Sequence, residues 1–327
     1  LAQNAEEQAG TRQAACVPQV RPFRLTDRPR EILDFALQAA ASGTGCAFVT
    51  LVEIVGGAAR ALGANMAVRG DGGFCGFVSG GCVEAAVAAE AVAALAAGKD
   101  RQVRFGKGSP FFDIVLPCGG GLGLAIHVLR NPAPIAAVLE SLEARVPARL
   151  LHDPARETLQ MARGAGVTGW ADGVFCTSYR PDLRIFLIGE GLEAQAFARL
   201  AQAAGLQIVQ GPGDDLVATP DAHSAVVVLR HDVENEIGLL RRALQSDAFY
   251  IGCLGGRATH ARRTALLRAA GVAEDQIARI HAPIGLFGPA RDAAAIAGSV
   301  LAEVLMQRDR LALLADRPTG GTDRHGR

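Results

Sequence analysis

The spacing of apolar positions divides the chain into two halves with different grammar. Residues 1–26 are mostly polar, carry two prolines and show no periodicity, which predicts a flexible lead-in. A helix is expected from Asp27-Arg28-Pro29, with proline in its first turn, to the glycine at 43. Cys46 to Val55 (CAFVTLVEIV) is a continuous apolar run rich in β-branched residues and reads as a buried strand. Asn65–Arg69 and Phe74–Val78 flank Gly70-Asp71-Gly72-Gly73, the pattern of a β-hairpin. Ser79-Gly80-Gly81-Cys82-Val83-Glu84 follows and leads into an alanine-rich helix ending near Ala97. Two short strands are expected to bracket Pro117-Cys118-Gly119-Gly120-Gly121. Residues 131–177 read as a helix and further short strands that close a first domain over 27–180.

Beyond residue 180 the rhythm becomes strand, helix, strand. Arg184–Ile188 predicts a strand, Leu192–Ala204 a helix stopped by Gly205, and Leu206–Val209 a second strand. Ala225–Leu229 and Phe249–Leu254 are further strands, separated by a helix near Glu234–Leu244. That alternation predicts a parallel, doubly wound sheet over residues 181–313. The expected fold class is therefore α/β: an N-terminal α/β domain plus a C-terminal Rossmann-like domain. Residues 314–327 are polar and Gly-rich and are expected to be a disordered tail.

Composition narrows the chemistry. Basic and acidic residues balance at 33 each, so nothing favours a nucleic-acid partner held by phosphate neutralisation. No run is long and apolar enough for a membrane span, and LAQNAEEQAG lacks the plan of a signal peptide, so a cytoplasmic location is expected. Lys99 and Lys107 are the only lysines, and Gly106-Lys107 is followed by glycine, which excludes a P-loop and leaves little for Schiff-base chemistry. The 7 cysteines are scattered without a CxxC pair, so zinc-ribbon and thioredoxin readings both fail on spacing.

Four glycine-bearing turns could carry function. Gly189-Glu190-Gly191-Leu192-Glu193-Ala194 matches G-x-G-x-x-A between a strand and a helix, where two glycines allow a pyrophosphate to approach the helix N-terminus. The acidic residue that holds a nicotinamide dinucleotide's ribose should end the next strand, but Gln210-Gly211 stands there, so NAD(P) is disfavoured. Ser79-Gly80-Gly81-Cys82 would leave backbone N–H groups free for an anion, with Cys82 in the first turn; a plain tight turn is the alternative. Cys118, between Pro117 and three glycines, is either an accessible thiol suited to a soft metal or a packed side chain. Gly255-Gly256-Arg257 again joins a strand to a helix, and Arg257, Arg262 and Arg263 could pair with phosphate oxygens or form a solvated face. His231-Asp232 sits at a strand's carboxyl end, where a lone histidine is more often structural.

Taken together, Phe77-Val78-Ser79-Gly80-Gly81-Cys82-Val83-Glu84, Cys118-Gly119-Gly120 and Tyr250-Ile251-Gly252-Cys253-Leu254-Gly255 through Arg257 resemble the signature stretches of the xanthine dehydrogenase accessory (XdhC/CoxI) family. His281-Ala282-Pro283-Ile284-Gly285-Leu286 and Ser299-Val300-Leu301-Ala302-Glu303 follow in the family's order, so the resemblance spans roughly residues 30–308. It implies a maturation factor that binds molybdenum cofactor, as molybdopterin or its dinucleotide, assists exchange of an oxo ligand for sulfur, and delivers the product to a xanthine dehydrogenase-type enzyme. On that reading Cys118 lies nearest the metal. Ser79, Gly80, Gly81, Cys82, Gly119 and Gly120 cradle the cofactor, and Gly189, Gly191 and Arg257 bind it from the Rossmann half. Glu84 is either a proton acceptor beside Cys82 and Cys118 or a surface helix carboxylate. The implied partners are a molybdenum hydroxylase client, a cysteine desulfurase and a cofactor nucleotidyltransferase, with a homodimer expected. The rival readings are an NAD(P)-dependent oxidoreductase and an inert scaffold.

Overall fold

The apolar run at Cys46–Val55 becomes the central strand of the first sheet because both of its faces are covered. A computed structural model describes residues 20–109, 119–211 and 216–315. In chain order its first elements are β1 (Arg21–Arg24), α1 (Pro29–Ala41), β2 (Cys46–Val55), β3 (Asn65–Arg69), β4 (Gly73–Gly76), α2 (Glu84–Ala97), β5 (Arg101–Gly106) and β6 (Gly121–Val128). Strands pair in the order β1-β4-β3-β2-β6-β5. β2 runs antiparallel to β3 and β6, with Ala47 opposite both Val68 and Val128. The expected hairpin is β3–β4, with Val68 opposite Phe74. The alanines of α2 let the helix lie close to the sheet: Val87, Ala88, Ala91 and Ala94 are buried against Val49, Leu51, Leu124 and Ile126. Residues 21–24, expected within a flexible lead-in, instead form an edge strand parallel to β4, held by Arg21 N–H donating to the Gly72 carbonyl at 3.1 Å.

A small sheet follows from α3 (Ala133–Glu143), built of β7 (Ala148–Asp153), β8 (Thr158–Arg163), β9 (Gly169–Ala171) and β10 (Val174–Tyr179) in the order β8-β7-β10-β9. Two compact units divide the chain. The first takes the described residues up to Ala136 with His152–Gln160 and Gly169–Phe175; the second takes Ala137–Leu151, Met161–Thr168 and those from Cys176 onward. The sequence suggests one boundary at 180, whereas the chain passes between the units several times across the small sheet.

The second unit holds β11 (Arg184–Ile188), α4 (Leu192–Ala203), β12 (Gln207–Val209), β13 (Ser224–Val228), α5 (Val233–Leu244), β14 (Tyr250–Cys253), α6 (Arg257–Ala269), α7 (Glu274–Ile277), β15 (Ile280–His281) and α8 (Ala293–Ala315). Its five strands are all parallel, in the order β12-β11-β13-β14-β15. Phe197 and Ala201 of α4 and Val300 and Val304 of α8 cover one face; Leu239, Leu240 and Ala243 of α5 and Leu267 of α6 cover the other. This is the doubly wound arrangement expected from the alternation of elements. Each of the fully buried phenylalanine, valine and leucine side chains among these contributes roughly 1.5–3 kcal/mol. The strand order reverses between β11 and β13, which sets the carboxyl ends of those strands as the place where ligands of open α/β sheets bind. Among the described residues, no helix is long and apolar enough to cross a membrane.

Candidate functional site

The turn between β4 and α2 is built around one carboxylate. Gly80 and Gly81 adopt φ +111° and +110°, a region open to glycine, and this curls successive N–H groups toward the turn's centre. Glu84, only 3% exposed, fills that centre. It accepts from the N–H groups of Val78 (3.1 Å), Ser79 (2.8 Å), Gly80 (3.1 Å), Gly81 (2.9 Å) and Val83 (3.2 Å), and from the Ser79 hydroxyl at 2.7 and 2.9 Å. Cys82 N–H in turn donates to Ser79 Oγ at 3.2 Å. The sequence correctly suggests an anion-binding turn, but the anion is the chain's own. The donors of Gly80, Gly81 and Cys82 are therefore engaged rather than open to a phosphate. Burial alone would raise the Glu84 carboxyl, yet the Ser79 hydroxyl and the N–H groups of Ser79 and Gly80 outweigh it and hold the group below its ordinary value. Glu84 is thus not a surface helix carboxylate; buried and held by these donors, it fixes the turn. The Cys82 side chain stays exposed on the outside of that turn.

Other segments gather beside it. A Cβ on Gly80 would meet the Ala59 Cβ at 3.1 Å, and one on Gly56 would meet Gly120 Cα at 3.6 Å. The 56–60 loop therefore touches both the Ser79–Cys82 turn and the Gly119-Gly120 segment. Gly119 is exposed with φ +65°, and Gly120 is buried, its carbonyl accepting from Lys107 N–H at 2.9 Å. Cys118 lies outside the described residues. A cleft of about 360 Å³ opens here, lined by Thr26, Asp27, Arg60, Phe77 and Gly80. Arg60 donates to Asp27 Oδ2 at 2.9 Å through Nη1, while its buried Nε has no partner among the described residues. The 56–60 loop thus lies between two of the sequence-chosen segments, meeting Gly80 through Ala59 and Gly120 through Gly56. It adds Arg60, which lies three residues beyond the Gly56-Gly57 pair and is not among the expected site residues.

In the second unit the G-x-G-x-x-A turn is tightly constrained. Gly189 has φ +132°, and a Cβ there would lie 2.2 Å from the Leu229 carbonyl oxygen, so only glycine lets β11 and β13 approach at their carboxyl ends. Gly191 is the N-cap of α4 and supplies no side-chain cap. The N-terminus of α6 is likewise uncapped by a side chain, with Gly256 at the N-cap and Arg257 exposed beside it, making no hydrogen bond or ion pair among the described residues. A cleft of about 630 Å³ lies along this edge, lined by His231, Gly255, Arg257, Ile284, Phe287 and Ser299 among others. Its far wall, residues 283–289, is pinned from below. Gly285 N–H donates to Glu303 Oε2 at 2.7 Å, and Ser299 Oγ bonds both the N–H (2.9 Å) and the carbonyl (2.7 Å) of Phe287. Of the three arginines grouped by sequence only Arg257 faces the cleft. Arg262 pairs with Glu234, and Arg263 is fully buried against Glu236 with a further bond to the Leu254 carbonyl at 2.8 Å. The position after β12 is Gln210-Gly211, without the ribose-binding acid; Asp214 and Asp215 lie outside the described residues.

Comparison with known proteins decides the lineage. Residues 39–106 match the XdhC and CoxI family, and residues 185–304 match the XdhC Rossmann domain. A curated Escherichia coli (strain K12) protein, the molybdenum cofactor insertion chaperone PaoD, is 48% identical over 286 residues, covering 87% of this chain and 90% of its own length. The chain belongs to the XdhC and CoxI family. A second E. coli relative, the uncharacterized protein YqeB, is 27% identical over 252 residues, 75% of this chain but 40% of its own length. The crystal structure of a xanthine dehydrogenase from Bacillus halodurans shares the fold, with a TM-score of 0.67 at 18% identity, covering 88% of this chain and 98% of that one. The family membership accounts for both halves at once: the XdhC and CoxI match ends at β5 and includes the Glu84-centred turn, and the XdhC Rossmann match includes the α4 and α6 N-termini.

Proposed function

We propose that this protein is a molybdenum cofactor insertion chaperone serving a molybdenum hydroxylase client of the xanthine dehydrogenase type in the cytoplasm. The observation that carries this reading is the 48% identity to the insertion chaperone PaoD over nearly the full length of both chains. The cofactor, as molybdopterin or its dinucleotide, is here cargo to be held and handed on. Each unit offers groups that suit part of it. Arg257, exposed and unpaired among the described residues at an uncapped helix N-terminus, suits a phosphate or pyrophosphate, which the helix dipole also favours. Gly189 and Gly191 leave the α4 N-terminus without a side-chain cap, open to the same kind of group. In the first unit, exposed Cys82, with Ser79, Gly80, Gly81, Gly119 and Gly120 shaping the surface around it, presents a soft thiol suited to the metal-dithiolene end. Cys118 shares that role by its place directly before Gly119.

The proposed course is transfer, with no bond made or broken on the cargo by Glu84. Sulfuration, where it occurs, would draw sulfur from a cysteine desulfurase docked on the chaperone, and a nucleotidyltransferase would supply the dinucleotide form. A homodimer is the proposed working assembly. The test is a titration of the purified protein with molybdenum cofactor, followed by absorbance and bound molybdenum, then transfer to a client apoenzyme. Stoichiometric uptake and activation of the client are expected. Failure to retain molybdenum while still binding the client would replace this reading with that of a scaffold.

A further inference from the structure

Away from the turn and the Rossmann cleft, three side chains far apart in sequence converge inside the first unit. Asp100 ends the turn between α2 and β5, His127 lies near the end of β6, and His152 lies in β7. His127 Nδ1 is 2.7 Å and His152 Nε2 is 3.1 Å from the same atom, Asp100 Oδ2. The side chains of all three are at most 7% exposed. The two imidazoles meet edge to face with centroids 5.0 Å apart. We propose that Asp100, His127 and His152 form a binding site for a divalent transition metal ion of the zinc class, with the fourth position left to water.

The donor set and its surroundings both fit. One carboxylate and two imidazoles are a common ligand combination for zinc, with bonds of roughly 2.0–2.2 Å, which in a tetrahedron puts ligand atoms about 3.3–3.6 Å apart. The three candidate donor atoms lie within 4.8 Å of one another, so a metal needs only small side-chain movements to seat among them. Metal-binding side chains are usually oriented by a second layer of hydrogen bonds. Here Asp100 Oδ1 accepts from Val128 N–H at 3.0 Å and from Arg130 Nη1 at 3.0 Å, leaving Oδ2 aimed between the rings. Arg130 is itself fixed by the Gly98 carbonyl at 2.8 Å and by Glu157, which also balances its charge near a cation. Converging two of the protein's 7 histidines on one carboxylate oxygen, buried and oriented, is the arrangement expected of a site that closes around an ion. Occupied, it would tie the turn after α2 to β6 and β7. The proposal is independent of cargo binding, because none of its residues lines the clefts described above.

The test uses the full-length protein, stripped with chelator and desalted, then titrated with zinc and, in parallel, with cobalt(II). The expected result is about one equivalent of metal retained after desalting, a higher melting temperature with zinc, and the visible ligand-field bands of four-coordinate cobalt. His152→Gln, which keeps a hydrogen-bond donor toward Asp100, should lose that equivalent and the thermal shift. Equal retention by the native chain and His152→Gln, or no retention by the native chain, would overturn the proposal. Should the substitution prevent folding, the cobalt spectrum of the native chain decides. Nitrogen and oxygen ligation gives no thiolate-to-metal charge-transfer band, and such a band would place the metal on the cysteines instead.

Discussion

Glu84 illustrates how much one side chain can settle. Its two oxygens take five backbone N–H groups and a hydroxyl, so replacing it with glutamine turns one acceptor into a donor facing donors. Glu84→Gln is expected to lower unfolding free energy by about 1.5–3 kcal/mol, the worth of charge-assisted bonds left unmade, and denaturant titration will show it. The pH dependence has a definite sign. Because the folded-state value is depressed, the stabilisation is complete above the ordinary glutamate value near ~4.3 and is lost as pH falls below it toward the folded value. Acid unfolding of the native chain should therefore be steeper in that window than for Glu84→Gln. The sequence displays two glycines, a serine and a glutamate, and from these an anion-binding turn is legible. Which anion fills it is not, because that depends on how far the chain curls back at φ +111° and +110°. His127 and His152 escape sequence reading for a similar reason: each is a lone histidine in a strand, and only pairing across the fold makes them neighbours.

At the level of elements, α6 separates three arginines that look alike in sequence. At 100° per residue, positions 262 and 263 point roughly 140° and 240° away from 257, so a helical wheel already denies them a common ligand. Arg257 serves the cleft, Arg262 meets Glu234 at the surface, and Arg263 joins α6 to α5 through Glu236. Arg257→Ala is expected to weaken retention of molybdenum cofactor by about 1.5–3 kcal/mol, roughly 10- to 100-fold, without moving the melting temperature. Equilibrium dialysis and a thermal melt will check both halves of that statement. Arg263→Ala should behave in the opposite way. It strands the Glu236 carboxylate, whose value burial already raises, and should cost about 3–5 kcal/mol of stability in a denaturation experiment. Strand and helix identity was largely readable here because apolar runs of β-branched residues alternate with helical spacing. The exposed edge strand at 21–24 was not, since its four residues are held by main-chain pairing and bury almost nothing.

Across the whole molecule, sequence reveals the strands of the second unit but not their neighbours. The order β12-β11-β13-β14-β15 follows from handedness and packing, and it locates the reversal beside Gly189. It also sharpens the cofactor question, because the residue that should grip a ribose at the end of β12 is missing at Gln210-Gly211. NAD and NADP are accordingly expected to bind no tighter than about millimolar, equivalent to roughly −4 kcal/mol, in a calorimetric titration. The interleaved path of the chain between 137 and 175 was equally hidden, since short strands in sequence say nothing about which unit each will join. The Glu84-centred turn has one further consequence at this scale. A loop that supplies its own counter-charge is finished before any visitor arrives, so docking need not freeze it. Fixing a residue's backbone costs about 1–2 kcal/mol, and six residues from Ser79 to Glu84 would otherwise impose that cost at each loading and refund it at each release. If cargo lands on this turn as proposed, a surface rigid in advance would keep the difference between holding and letting go small, which is the condition under which a courier neither drops its parcel nor keeps it.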